Sequence, residues 1–214
     1  MNQYYFDFIN ILEKEDKDQA LIFVLDLVKN QQISLEELYE QLLGPSLWNF
    51  KCQDIDQKVC IWKEHTRTSI IRTILEATYF EVIRRKGLVK PIDKKVVVFT
   101  PSEEYHEIGA IMAASYFSLA GYNSQYIGAN TPKHDILSAI GVFKPDYVAI
   151  SVTNYYNLVV TKQITKAIKD KFPSVKIIVG GQAFSQPDAL EQVDHDYFLT
   201  SFQNIFELAK GDLK

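Results

Sequence analysis

The sequence is poor in the features that usually announce a function. Its 214 residues include two cysteines, two methionines and four histidines. Cys52 and Cys60 give no disulfide framework and no CxxC metal pattern, so both thiols are expected to be reduced in a cytoplasmic protein. No apolar run is long enough to span a bilayer. The opening stretch, MNQYYFDFINILEKEDKD, carries acids within its apolar part and is not a signal peptide. Positive charge is not in excess: the net charge is −4, which gives no global pull toward nucleic acid or an anionic membrane. The one basic cluster, Arg84, Arg85, Lys86, Lys90, Lys94 and Lys95, falls in a linker. Repeats and low-complexity segments are absent. The phosphate-cradling GxGxxG is missing from the loop after the first predicted strand, which argues against a dinucleotide site.

What is present falls into two periods. Up to about residue 86 the apolar residues recur at i, i+3, i+4 spacings, in YYFDFINILEK, DQALIFVLDLVKN, SLEELYEQLLG and EHTRTSIIRTILEATYFEVIRR. Ser34 with Glu37 reads as a capping box for the third of these helices, and the fourth ends at Gly87. Short connections between helices favour a small bundle. GLVKPIDKK (87–95) reads as a linker. From Val96 onward, apolar strands (KVVVFT, NSQYIG, DYVAIS, KIIVG, DYFLT) alternate with helices at about 106–120, 132–142, 157–171, 186–192 and 202–210. That alternation predicts a parallel sheet covered on both faces. The expected fold is therefore an all-α four-helix bundle cap, residues 1–90, followed by an α/β domain, residues 91–214. The α/β domain is expected to be flavodoxin-like (Rossmann-type), a five-stranded parallel sheet with strand order 2-1-3-4-5. Ligands in such sheets bind outside the carboxyl ends of the strands.

The loop after the first strand lies on that edge. It offers Glu104, Tyr105, His106, Glu107, Ile108 and Gly109. A carboxylate two residues before a histidine can accept a hydrogen bond from one ring nitrogen, which fixes the tautomer and raises the basicity of the other, as around metal-ligating histidines. Gly109 lets a bulky group approach the backbone. By itself this spacing is weak evidence, since a loop histidine is usually a plain surface residue.

Two further motifs follow at later strand ends: Ser151–Val152–Thr153, and Gly180–Gly181–Gln182. The ordered set E-x-H-x-x-G, S-x-T, GG resembles the cobalamin-binding domain, over residues 95 to about 210. The resemblance implies that His106 is the lower axial ligand of cobalt. It implies that the cofactor's nucleotide tail threads past Ser151, Thr153, Gly180 and Gly181. The helical half resembles the cap of corrinoid methyltransferase proteins and of CarH-type light sensors, whose last helix carries a Glu-His pair facing the upper side of the corrin. Here that pair is Glu64–His65, with Ile61 at the apolar contact position three residues earlier.

The sensor branch fits better than the methyl-carrier branch at the sequence level. EYHEIGA and YIGANTP are closer to the CarH-type light sensors than to DxHDIGKNIV, the usual methyltransferase pattern. The expectation is a cobalamin-dependent sensor, a signalling module without turnover. It would bind adenosylcobalamin as a photoreceptor, form a homo-oligomer and control an unidentified output protein or domain, with no direct nucleic-acid binding and no membrane partner. The alternative is a corrinoid protein carrying a methyl group for a methyltransferase system. The tryptophan of the sensor cap is missing. Asp54 and Ile55 stand where that tryptophan and a light-state histidine ligand are aligned, and neither Trp48 nor Trp62 fills the position without an insertion. The related photocobilins hold a bilin as well, so the resemblance brings a bilin as a second chromophore, although no residue demands one.

Overall fold

The computed structural model describes residues 3–52 and 57–213. It divides into two compact units, Met1–Arg84 and Arg85–Lys214.

The first unit is helical. α1 (Gln3–Leu12) and α2 (Lys17–Lys29) are followed by a helical path made of α3 (Leu35–Glu37), a π-helical segment (Leu38–Leu43) and α4 (Gly44–Trp48), and then by α5 (Gln57–Lys86). Asp16 caps α2 by accepting from Gln19 N–H. Ser34 and Glu37 form the expected capping box: Ser34 Oγ accepts from Glu37 N–H at 3.1 Å and Glu37 Oε2 accepts from Ser34 N–H at 2.8 Å. The third helix does not stop at Gly44. Gly44 and Pro45 open α4, and Pro45, which has no N–H to donate, sits where the chain leaves the π-helical segment. Phe8, Val24, Leu38, Leu42, Leu43, Ile71 and Ile74 are fully buried and build this core. The Arg67 guanidinium is buried among them. It pairs with Glu13, donates to the Ser46 carbonyl at 3.1 Å and lies over the Phe50 ring at 4.3 Å.

Two expectations for this unit change. α5 begins seven residues before Glu64, so Glu64 and His65 lie in its third turn rather than its first. Cys52 and Cys60 are joined in a disulfide with Cα atoms 5.4 Å apart, where reduced thiols were expected. Two cysteines eight apart, one of them on a helix, come within bridging reach through local geometry that a count of cysteines does not reveal. Closing so short a loop removes freedom from the unfolded chain worth about 2.5 kcal/mol. Reduction, or Cys60→Ser, should therefore lower the stability of the first unit by about that amount. Denaturation followed by tryptophan fluorescence reads that unit selectively, because Trp48 and Trp62 are the only tryptophans of the chain. An unchanged denaturation midpoint on reduction would exclude the bond as a stabilising element.

The second unit is a five-stranded, all-parallel sheet in the order β2-β1-β3-β4-β5, the order expected from the sequence. The strands are β1 (Lys95–Pro101), β2 (Asn123–Thr131), β3 (Tyr147–Ser151), β4 (Lys176–Gly180) and β5 (Tyr197–Leu199). β1 and β3 are central and buried along nearly their whole length, whereas β2 lies at one edge and is half-exposed. The helices are α6 (Ile108–Leu119), α7 (Lys133–Phe143), α8 (Leu158–Lys171) and α9 (Gln203–Asp212). On one face of the sheet Val97, Phe99, Val148, Ile150, Ile177 and Val179 share a core with Ile136 and Ile140 of α7 and Ile164 and Ile168 of α8. α6 and α9 pack on each other through Tyr116, which stacks on Phe202 at 4.4 Å and meets Phe206 edge-on at 5.9 Å.

The helix expected at 186–192 does not form. One 3₁₀ turn, Gln182–Ser185, precedes that stretch, and a second, Leu190–Gln192, takes up only its last three residues. Pro187 holds Gln186 extended, and Asp188 is left-handed at φ 63, so neither residue continues a helix.

α9 ends in a latch at the amino-terminal end of the sheet. The Asp212 carboxylate accepts from Lys94 Nζ at 2.5 Å, from Tyr122 OH at 2.7 Å and from Tyr147 OH at 2.9 Å. Burial and the neighbouring Asp212 carboxylate push the Tyr147 phenol up to about 12. Among the described residues no helix is long and apolar enough to cross a membrane.

A candidate cofactor site at the carboxyl edge of the sheet

Three strand ends converge at the opposite edge. β1 leads into the loop 102–107, β3 into a 3₁₀ turn at Tyr155–Asn157, and β4 into the turn at Gln182–Ser185. Ser151 and Gly180 are directly paired across β3 and β4.

Glu104 is the centre of the site. Its side chain is 1% exposed, while the His106 ring is 53% exposed. His106 Nδ1 lies 2.6 Å from Glu104 Oε1, and His106 N–H donates to the same oxygen at 3.1 Å. Glu104 Oε2 accepts from Thr153 N–H at 2.9 Å, from Asn154 N–H at 2.8 Å and from the Asn157 amide at 3.1 Å. Burial alone would push this carboxyl up. The bonds from His106, Asn154 and Asn157 more than offset it and bring the pKa down to about 2. A carboxylate in this state takes the proton-bearing Nδ1 of the imidazole, so the ring's lone pair sits on Nε2.

The remaining motif residues fall into place around this pair. Tyr105 is exposed, Ile108 is buried at the start of α6, and Glu107 accepts from Tyr126 OH at 2.7 Å. A side chain added at Gly109 would meet Ser151 Oγ at 3.6 Å, which puts the E-x-H-x-x-G loop beside the S-x-T segment. Thr153 contributes its backbone N–H to Glu104. At Gly180 a Cβ would come no nearer than 3.4 Å to the Leu199 carbonyl. At Gly181, φ is 106 and a Cβ would lie 2.4 Å from the Val152 carbonyl oxygen. Gln182, itself exposed, opens the turn that follows, in which Ala183 and Phe184 are buried. Glu104, His106, Gly109, Ser151, Thr153, Gly180 and Gly181 are thus gathered at one edge.

Ile61, Glu64 and His65 belong to the other unit. They are exposed and share a face of α5, with spacings of three and four residues. Trp48 and Trp62 are also exposed. Asp54 and Ile55 lie outside the described residues.

Sequence reasoning missed Asn157, Asn154, Thr100 and Asn130. Asn157 is the most telling of these, being buried with its amide on Glu104. The only sign of it was an asparagine four residues beyond the S-x-T motif, in a stretch singled out for its tyrosines.

Among the described residues no group of three or more His, Cys, Asp or Glu side chains could hold a bare metal ion. One imidazole, oriented by a buried carboxylate and backed by glycines, suits a metal that arrives already chelated in a large ring. The donor set and the glycine cradle therefore fit a corrinoid.

The comparisons agree with this chemistry. The B12 binding domain family matches residues 94–208, more than half of the chain. No curated protein matches the chain in sequence. Among solved structures, the chain is similar to the monomethylamine corrinoid protein of Methanosarcina barkeri, at 11% identity and TM-score 0.80, covering 97% of each chain. It is similar to a cobalamin-binding protein from Desulfitobacterium hafniense DCB-2, at 17% identity and TM-score 0.50, covering 97% of this chain and 98% of that one. It is also similar to the methanol:cobalamin methyltransferase complex MtaBC from Methanosarcina barkeri, at 12% identity and TM-score 0.52, covering 98% of this chain and 79% of that one.

Proposed function

The chain belongs to the B12-binding domain family, and from that premise we propose that it holds cobalamin through His106 and carries a methyl group for a methyltransferase system. The observation that carries the cobalamin reading is the His106 Nδ1 bond, 2.6 Å, to a carboxylate that is almost wholly buried. In this reading His106 Nε2 would hold the cobalt, and Ser151, Thr153, Gly180 and Gly181 would receive the nucleotide tail. When bound, cobalamin supplies a metal that accepts and hands on the methyl group. The protein's part is to present the imidazole, hold its tautomer and leave room at Gly109 and Gly180. The methyl-carrier reading, the alternative at the sequence level, is supported by the similarity in fold to the monomethylamine corrinoid protein, which extends over both units.

A second reading keeps the sequence-level expectation of a light-responsive adenosylcobalamin sensor. It is favoured by Glu104 in place of aspartate, by YIGANTP, and by the exposed face of Ile61, Glu64 and His65 on α5. The adenosyl group, a bilin and a change of oligomeric state belong to that reading alone.

His106→Ala should weaken cobalamin binding and shift the visible spectrum of the bound cofactor away from that of the wild-type protein. An unchanged spectrum and affinity would remove the ligand assignment. The two readings part on the upper ligand. Methyl transfer from protein-bound methylcobalamin to an added thiol supports the carrier. Tighter binding of adenosylcobalamin, with a change of molecular mass on illumination with green light and no methyl transfer, would overturn it in favour of the sensor.

A further inference from the structure

The dipeptide Glu103–Glu104 is gripped from two sides. Glu103 (φ 67) and Asn130 (φ 49) are both left-handed, a conformation that costs residues with a Cβ and that asparagine tolerates best. Asn130 Oδ1 accepts the Glu103 N–H at 2.8 Å, and the Asn130 N–H donates to the Glu104 carbonyl at 2.9 Å. That carbonyl also accepts from Thr100 Oγ1 at 2.6 Å. From the other side Asn157, itself 7% exposed, uses one amide nitrogen twice. Its Nδ2 donates to the Glu103 carbonyl at 3.1 Å and to Glu104 Oε2 at 3.1 Å. Glu104 N–H donates to the Pro101 carbonyl at 3.0 Å. Every polar backbone group of the dipeptide and both oxygens of the Glu104 carboxylate therefore have a partner.

We propose that Asn130 and Asn157 are positioning residues for His106, forming a clamp that fixes the Glu104 carboxylate, and through it the imidazole, before cobalamin arrives. The inference rests on the reading that His106 takes the cobalt. Neither asparagine hydrogen-bonds the ring, and both act through Glu103 and Glu104. They do opposite chemistry. Asn130 serves as an acceptor through Oδ1, and Asn157 serves as a donor through Nδ2. Aspartate preserves the first role and reverses the second, because at position 157 it would set a carboxylate against Glu104. The same near-isosteric change should therefore be tolerated on one side of the clamp and not on the other.

The test uses the whole chain labelled with ¹⁵N-histidine. The His106 ring resonances are recorded without cofactor, and aquocobalamin is then titrated in. The wild-type ring should show a single arrangement with a proton on Nδ1. Asn130→Gly keeps the left-handed backbone and deletes only the acceptor. It should loosen the ring and weaken cobalamin, and Asn130→Asp should restore both. Asn157→Leu should loosen the ring and weaken cobalamin about 10–100-fold, the usual effect of removing a group that orients a metal ligand. Asn157→Asp should not restore either. If Asn157→Leu does not fold, Asn157→Ser takes its place and should mix the two tautomers. An Asn130→Asp as impaired as Asn130→Gly, an Asn157→Asp equal to wild type, or an undisturbed ring in a folded Asn157→Leu would each overturn the clamp. A ring that loosens as expected, in a chain whose affinity is indifferent to His106→Ala, would support the clamp and overturn the ligand reading instead.

Discussion

Glu104→Leu should destabilise the α/β unit, at a cost of about 1–3 kcal/mol for each buried donor left without an acceptor, and should abolish tight cobalamin binding. The carboxylate accepts from the backbone N–H groups of His106, Thr153 and Asn154, from the Asn157 amide and from the His106 ring. Leucine fills a similar volume and accepts none of them. The Asn157 donor is buried and loses one of its two acceptors, and an unpaired buried donor costs about 1–3 kcal/mol. Glu104→Gln should fall between, because its oxygen serves one set of donors and its NH₂ meets the other. Urea unfolding followed by circular dichroism, with cobalamin titration on the same samples, measures both effects. A leucine variant as stable as the wild type would mean that water replaces the carboxylate at little cost and that the network is not what holds the loop.

The second large effect separates two neighbouring glycines. Gly181→Ala should cost about 3–5 kcal/mol, combining a positive φ that alanine adopts poorly with overpacking against fixed backbone. The new methyl group would lie 2.4 Å from the Val152 carbonyl oxygen, and that oxygen is itself held by the Ala183 N–H at 3.1 Å. Gly180→Ala should be close to neutral for folding, since its nearest contact is 3.4 Å. Gly180→Leu should fold yet bind cobalamin weakly, because glycine at a strand end leaves space for a ligand against the backbone. Melting temperatures and cobalamin affinities of the three variants decide the matter. Normal binding by a folded Gly180→Leu would put the nucleotide tail elsewhere.

The strands were legible because a buried parallel strand is an almost unbroken apolar run, as KVVVFT and KIIVG are. Their order followed from alternation with helices. The capping box was legible because its two residues act on each other locally. The site was legible as far as its motifs reached: Glu104, His106 and Gly109 lie on one loop, and Ser151 and Gly180 end paired strands. Asn130 and Asn157 were not legible. Each works on residues about 27 and 53 positions away, and an asparagine's use as donor or acceptor depends on what the fold brings to it. The disulfide was hidden although its cysteines are only eight positions apart, because a count of cysteines carries no backbone geometry. The helix at 186–192 failed on Pro187 and Asp188, two local signals that the apolar spacing outweighed.

The Asp212 latch has a mechanical consequence. Tension applied at the C-terminal end of α9 first meets one carboxylate bonded to Lys94, Tyr122 and Tyr147, and so part of it enters the sheet where β1, β2 and β3 begin. The His106 loop hangs from the far end of β1. A load carried by the C-terminus is therefore borne in part at the foot of the strands, and the imbalance it creates there is spread along hydrogen-bonded β1 and β3 before it reaches the histidine.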